Sequence, residues 1–165
     1  GTVIIPALEG TRPLLVEIQS LVAPTPYVPP RRTSDSIDIK KIQLLLAVLE
    51  KRVHLNMGTC DVYVKVAGGI KIDDPAVDLA LCCAMASSFR NQSIKPQTII
   101  FGEVGLSGEV RSVSQPDIRV REAIRMGFTN IILPAKNLER LEHFASNVQI
   151  HGVRYLSEAL KIALN

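Results

Sequence analysis

Residues Ile70 to Arg90 read IKIDDPAVDLALCCAMASSFR, and this stretch decides the fold. Asp74 is a candidate N-cap, and Pro75 suits the first helical position, where a missing N–H costs nothing. Beyond them the sequence is apolar on most faces to about Phe89. A helix with so little polar surface belongs inside a protein, so the pattern predicts a central, buried helix. Cys82 and Cys83 lie inside it and read as small core hydrophobes. With Cys60 they make three cysteines without paired spacing. That argues against a secreted disulfide framework and for a reducing setting, expected to be the cytoplasm.

Towards the N-terminus, Cys60 to Val66 alternates as CDVYVKV, the period of a half-buried strand closed by Gly68 and Gly69. Before it, Ile42, Leu45, Leu46 and Leu49 recur at helical spacing, which predicts a helix from Ile37 to Val53 capped by Ser36. Ala23 to Asp35, APTPYVPPRRTSD, is too rich in proline for helix or central strand, so it reads as an extended connection. Thr2 to Leu8 and Leu14 to Val22 read as two strands of a hairpin, with Pro6 demoting the first to an edge or bulged strand.

Towards the C-terminus, strands are expected at Thr98–Phe101, Asn130–Leu133 and Val148–Ile150. Gly102 to Arg111 reads as a tight hairpin. Helices are expected from Pro116 to a stop at Gly127, over Asn137–Ala145, and over Tyr155–Leu164. Hairpins followed by alternating strands and helices make this a mixed α/β (α+β) chain, read as one domain spanning residues 1–165.

Composition narrows the function. Hydrophobic residues form 47% and charged residues 21%, a globular profile able to fold without disulfides or metal. No apolar run approaches the roughly 20 residues that cross a bilayer, and no secretory leader is read, so no membrane partner is expected. Aromatics are 4% with no Trp, which argues against an aromatic base-stacking platform. The net charge of +3 permits a nucleic-acid partner without requiring one.

Most catalytic signatures are missing. There is no GxxxxGK[ST], HExxH or GxSxG. Gly102, Gly105 and Gly108 fall between strands, whereas a dinucleotide fingerprint opens a helix. His54, His143 and His151 complete no zinc spacing, and no metal or cofactor is expected in this chain. Asp73, Asp74 and Asp78 could hold a cation, but acidic residues also suit a helix N-terminus for electrostatic reasons alone.

Two segments in fixed order carry a family resemblance: Asp73-Asp74-Pro75-Ala76-Val77-Asp78, and Arg119-Val120-Arg121-Glu122-Ala123-Ile124-Arg125-Met126-Gly127 preceded by GEVGLSGEVR. Together they resemble the proteolytic domain of Lon, a Ser–Lys protease, with signatures D-G-P-S-A-G and K-x-x-A-A-x-R-x-G. The resemblance implies a mixed sheet with packed helices, like domain 2 of ribosomal protein S5. It places Ala76 on the nucleophilic Ser and Arg119 on the general-base Lys. A methyl group cannot attack a carbonyl, and a guanidinium cannot act as a base near neutral pH. The degenerate site is therefore expected to be non-enzymatic, with Arg119 paired to Asp74 or Asp78. An active peptidase using Ser112 or Ser114 is the alternative.

The segments EGTRPLLVEIQSLV, PRR, LLLAVLEKR and FGEVGLSGEVRSV resemble the C-terminal domain of the RadA (Sms) family of bacterial DNA-repair proteins. That resemblance implies a domain excised from a longer protein whose zinc finger and RecA-like ATPase lie outside this sequence. ATP, Mg and Zn would be bound only in those missing N-terminal regions. The parent would be an ATP-driven motor of recombination and branch migration. This domain would help hold DNA, single-stranded or branched, in a homo-oligomeric ring expected to be a hexamer, alongside recombination proteins of the RecA type. The residues expected to contact DNA are Arg31, Arg32, Lys40, Lys41, Arg119 and Arg121. A ring scaffold that never touches DNA is the competing reading.

Overall fold

The computed structural model describes residues 1–141 and 147–165. Strands β1 (Thr2–Glu9) and β2 (Arg12–Pro24) pair antiparallel from Thr2↔Gln19 to Glu9↔Arg12. Gly10 turns the hairpin at φ 65°, a left-handed step that costs glycine little. Along β2, Val16, Ile18 and Val22 are buried while Gln19 and Leu21 face solvent, the period-two pattern of a strand with one covered face.

The proline-rich connection ends in a short strand that the sequence reading did not anticipate. β3 (Arg32–Ser34) lies parallel to β4 (Cys60–Val66), matching Arg32 to Val62 and Ser34 to Val64. Past Pro30 every residue has its N–H again, so pairing resumes. Helix α1 (Ile39–Val53) follows, capped by Asp38, whose carboxylate accepts from the Lys40 N–H at 3.0 Å. Ser36 is not the cap: its hydroxyl donates to Asp35 and its carbonyl accepts from Ile72.

Helix α2 (Val77–Arg90) is the predicted central helix, with every residue from Val77 to Ser87 buried. It starts later than expected, with Ala76 rather than Asp74 at the N-cap position. Asp74 still serves the helix entry, because its Oδ1 accepts from the Ala76 N–H at 3.0 Å. Next come β5 (Thr98–Ile100) and the expected hairpin of β6 (Glu103–Val104) and β7 (Val110–Arg111). Then follow α3 (Pro116–Arg125), β8 (Asn130–Pro134), α4 (Ala135–Leu138), β9 (Gln149–Val153) and α5 (Leu156–Ala163). Pro134 continues β8 instead of closing it, pairing with Val153. The helix expected over Asn137–Ala145 begins earlier, at Ala135; residues 142–146 of that expectation lie outside the described residues.

Seven strands form one mixed sheet in the order β3-β4-β2-β1-β5-β8-β9. β1 is therefore central, not an edge. The reason is positional. Ile4 faces β5 through its partner Ile99, and Pro6 and Leu8 turn their backbone groups to the same side, away from β2. Pro6 thus lacks an N–H only where no strand requires one. Helices α1, α2 and α5 contact one another, with α2 over β1 and β2. Helix α3 also packs on β1 and β2, and α4 on β8 and β9. Both faces of β5 and β8 are buried, as parallel strands between helical layers require.

Candidate functional site

The site grows from a backbone need. β1 outruns the short β5, which leaves the Pro6 carbonyl and the Leu8 N–H without strand partners. Side chains from α3 and from the entry to α2 fill that gap. Arg119 Nη1 donates to the Pro6 carbonyl at 2.9 Å, and Asp74 Oδ2 accepts from the Leu8 N–H at 3.0 Å. The two side chains grip each other: Nη1 to Oδ2 at 2.7 Å and Nη2 to Oδ1 at 3.2 Å, a two-pronged ion pair. Arg119 Nε donates to the Ser114 carbonyl at 2.9 Å, and the guanidinium lies 5.8 Å from the Phe101 ring centre.

Arg119 is 1% exposed, one of the largest side chains buried this completely. Its burial is tolerated because each edge of the fork has a partner. Burial pushes the Asp74 carboxyl up, but the Arg119 hydrogen bonds, the Ala76 and Leu8 N–H groups and the charge of Arg119 outweigh it and hold it below the usual range. Between these elements Ala76 is fully buried, its carbonyl accepting from the Gly102 N–H at 3.0 Å. Two residues on, Asp78 accepts from Lys41 Nζ at 2.6 Å and from the Val104 N–H at 3.2 Å, joining α1, α2 and the β6–β7 hairpin.

The two acidic residues are thus divided between two cations: Arg119 takes Asp74, and Lys41 takes Asp78. No group of three or more His, Cys, Asp or Glu among the described residues is placed to hold a metal. Ser112 and Ser114 are exposed, and among the described residues neither hydroxyl meets a base that could activate it. His151 bonds Asn130 at 2.8 Å, and His143 lies outside the described residues.

The residues expected to contact DNA are scattered in availability. Arg31 is exposed, its guanidinium stacked 4.6 Å over the Tyr27 ring while its N–H is anchored on Asp61. Arg32 is half-buried and donates to the carbonyls of Cys60 and Met57. Lys40 is exposed, whereas Lys41 is tied to Asp78. Arg121 is exposed on α3, and Arg125 forms a two-pronged pair with Glu122. Arg119 does not belong in that set: its guanidinium is enclosed by protein and cannot reach a phosphate. Sequence reasoning missed the Pro6 and Leu8 backbone partners, because no residue type announces an unpaired strand position.

Asp74 links the two segments, pairing with Arg119 and accepting from the Ala76 N–H. Residues 40–165 match the family model described as the Lon protease (S16) C-terminal proteolytic domain. The chain belongs to that family. Within the Lon family it is similar to proteins named DNA repair protein RadA. Identity is 46% over 164 residues with the one from Halalkalibacterium halodurans and 48% over 164 residues with the one from Bacillus subtilis, each covering 99% of this chain and 36% of the relative. With the one from Synechocystis it is 48% over 134 residues, covering 81% of this chain and 26% of the relative. The chain therefore spans about a third of the length of those relatives. No helix among the described residues is long and apolar enough to cross a membrane.

Proposed function

We propose that this is a non-catalytic domain of an ATP-driven DNA-repair and recombination motor, serving ring assembly and DNA contact in place of peptide hydrolysis. One observation carries the loss of protease chemistry. The group at the base position is a buried guanidinium locked on Asp74, and the group at the nucleophile position is a buried methyl. A guanidinium, unlike a lysine amine, does not serve as a general base. The similarity to proteins named DNA repair protein RadA supports the repair role. The parent's ATPase, its RecA-type partners, its cytoplasmic setting and a hexameric ring belong to the same reading.

DNA contact is assigned first to Arg31 and Lys40, which are exposed, and second to Arg121; Arg32 and Lys41 act mainly as anchors. Contacts of this kind bind phosphate irrespective of sequence and weaken steeply with salt. The test is fluorescence anisotropy with labelled single-stranded and branched DNA over a salt series. Arg31→Ala/Lys40→Ala should lower affinity several-fold and flatten the salt dependence. Unchanged affinity would leave the scaffold reading. A fluorogenic peptide assay should show no turnover, and serine-directed labelling at Ser112 or Ser114 would instead support the peptidase. Light scattering reports the ring.

A further inference from the structure

We propose that a second cleft, at the carboxyl ends of β8 and β9, binds a phosphate group, carried by a nucleic-acid strand or free. Open α/β sheets take ligands at the carboxyl ends of their strands. Here that end forms a cleft of about 370 Å³ between the β7 strand, the start of α4 and the turn from β9 to α5. Arg111, Lys136 and Arg154 line it, one from each element, with Ser112 and Tyr155 adding hydroxyls. All five are exposed.

The cations are held in fixed relation. Asn137 is buried, and its amide takes both backbone groups of Val113: the Val113 N–H at 2.9 Å and the Val113 carbonyl at 3.1 Å. That clamps the segment after Arg111 and Ser112 onto α4, which carries Lys136. The Val110 N–H donates to the Arg154 carbonyl and the Leu156 N–H to the Gly108 carbonyl, both at 2.8 Å, so the hairpin is stitched to the β9–α5 turn. At Gly152 a β-carbon would lie 2.7 Å from Leu138, so β9 and α4 pack with nothing between them. The backbone positions that carry the three cations are therefore fixed relative to one another, and a ligand has only their side chains to order.

Of the neighbouring carboxylates, Glu109 and Glu158 are engaged by backbone N–H groups, while Glu103 stands across the hairpin in register with Arg111. Glu109, which also lines the cleft, folds back over Gly105 and accepts from the Ser107 N–H at 3.1 Å. Glu158 accepts from the N–H groups of Arg154 and Tyr155. Glu139 stands 4.0 Å from Arg154, both about two-thirds exposed, a contact of little strength. Arg111 and Lys136 make no ion pair among the described residues. A phosphate oxyanion, with several acceptor oxygens and no donor requirement, matches two free cations, a third nearby and two hydroxyls.

This cleft shares with the proposed function only a phosphate-bearing ligand; its residues lie on other elements than Arg31 and Lys40, so the two ideas fail separately. The test is a two-dimensional amide NMR titration of the whole chain, once with inorganic pyrophosphate and once with a short thymidine oligonucleotide. Saturable shifts at Arg111, Ser112, Lys136, Arg154 and Tyr155 are expected. Arg111→Glu/Lys136→Glu should weaken that response about tenfold or more. A response to the oligonucleotide alone assigns the site to a nucleic-acid strand, and a response to pyrophosphate alone assigns it to free phosphate. No shift at those amides with either probe, or a shift that persists in the double variant, overturns the proposal.

Discussion

Replacing Arg119 with methionine isolates the interaction on which the site is built. Methionine keeps an unbranched apolar stem and removes the charged head. Asp74, whose side chain is 9% exposed, would then be an anion without its main partner, and the Pro6 and Ser114 carbonyls would lose their donor. Removing one member of a buried pair typically costs 3–5 kcal/mol. Each abandoned carbonyl adds about 1 kcal/mol, less where water enters. Urea unfolding followed by circular dichroism should therefore show a loss of about 5–7 kcal/mol for Arg119→Met. Arg119→Met/Asp74→Leu should recover part of it, because no unpaired charge is left.

The pH dependence sharpens the test. In the native protein the Asp74 carboxyl titrates below its unfolded value, so its contribution is fully present above about pH 4 and is lost as the pH falls through the folded value. Removing Arg119 takes away its hydrogen bonds and its charge, which lower that carboxyl, while burial still raises it. The stability that the lowered carboxyl contributes above about pH 4 should therefore shrink in the variant. Below about pH 4 stability should thus rise with pH in the native protein, and rise less steeply in Arg119→Met. A loss below about 1 kcal/mol with no change of slope would mean the pair behaves as an exposed one, and the account of the site would be wrong.

Lys41→Met should cost roughly 1–3 kcal/mol by leaving Asp78 short of a partner, and amide exchange at Val104 should quicken; unaltered exchange there would deny the link between α1 and the hairpin. Leu79→Ala removes a fully buried side chain of α2 and should cost about 2–5 kcal/mol by urea denaturation, with a smaller effect indicating that the core collapses onto the gap. Burial pushes the Cys83 thiol up to about 12, and Cys82 is raised as well, so neither should react with a thiol reagent near pH 8 until denaturant is added. Gly152→Ala should destabilise by roughly 1–3 kcal/mol through contact with Leu138 and Ala135, and should disturb the amide signals of Lys136.

Much of the architecture was legible because the apolar periods of the chain are strong. The buried helix, the first hairpin, the alternating strand Cys60–Val66 and the glycine-rich hairpin all follow from local pattern. The departures have local causes. Pro6 reads as an edge residue, yet a central strand accepts it where the neighbouring strand is too short to need its N–H. Asp74 reads as a cap, but its carboxylate also serves Arg119 and the Leu8 N–H. At the site, the methyl of Ala76 and the guanidinium of Arg119 are visible in the residue types. That Arg119 is enclosed, and that Lys41 takes the second aspartate, depends on long-range packing that no spacing reveals.

The seclusion of α2 carries a consequence for variation. From Val77 to Ser87 no position has a view of water, so side-chain volume alone governs what can be exchanged there, and small residues such as Ala80, Ala84 and Ala86 leave no room for growth. Lineages of this domain can alter their binding habits freely along the rims, while the helix at its axis drifts only among substitutions of matching size.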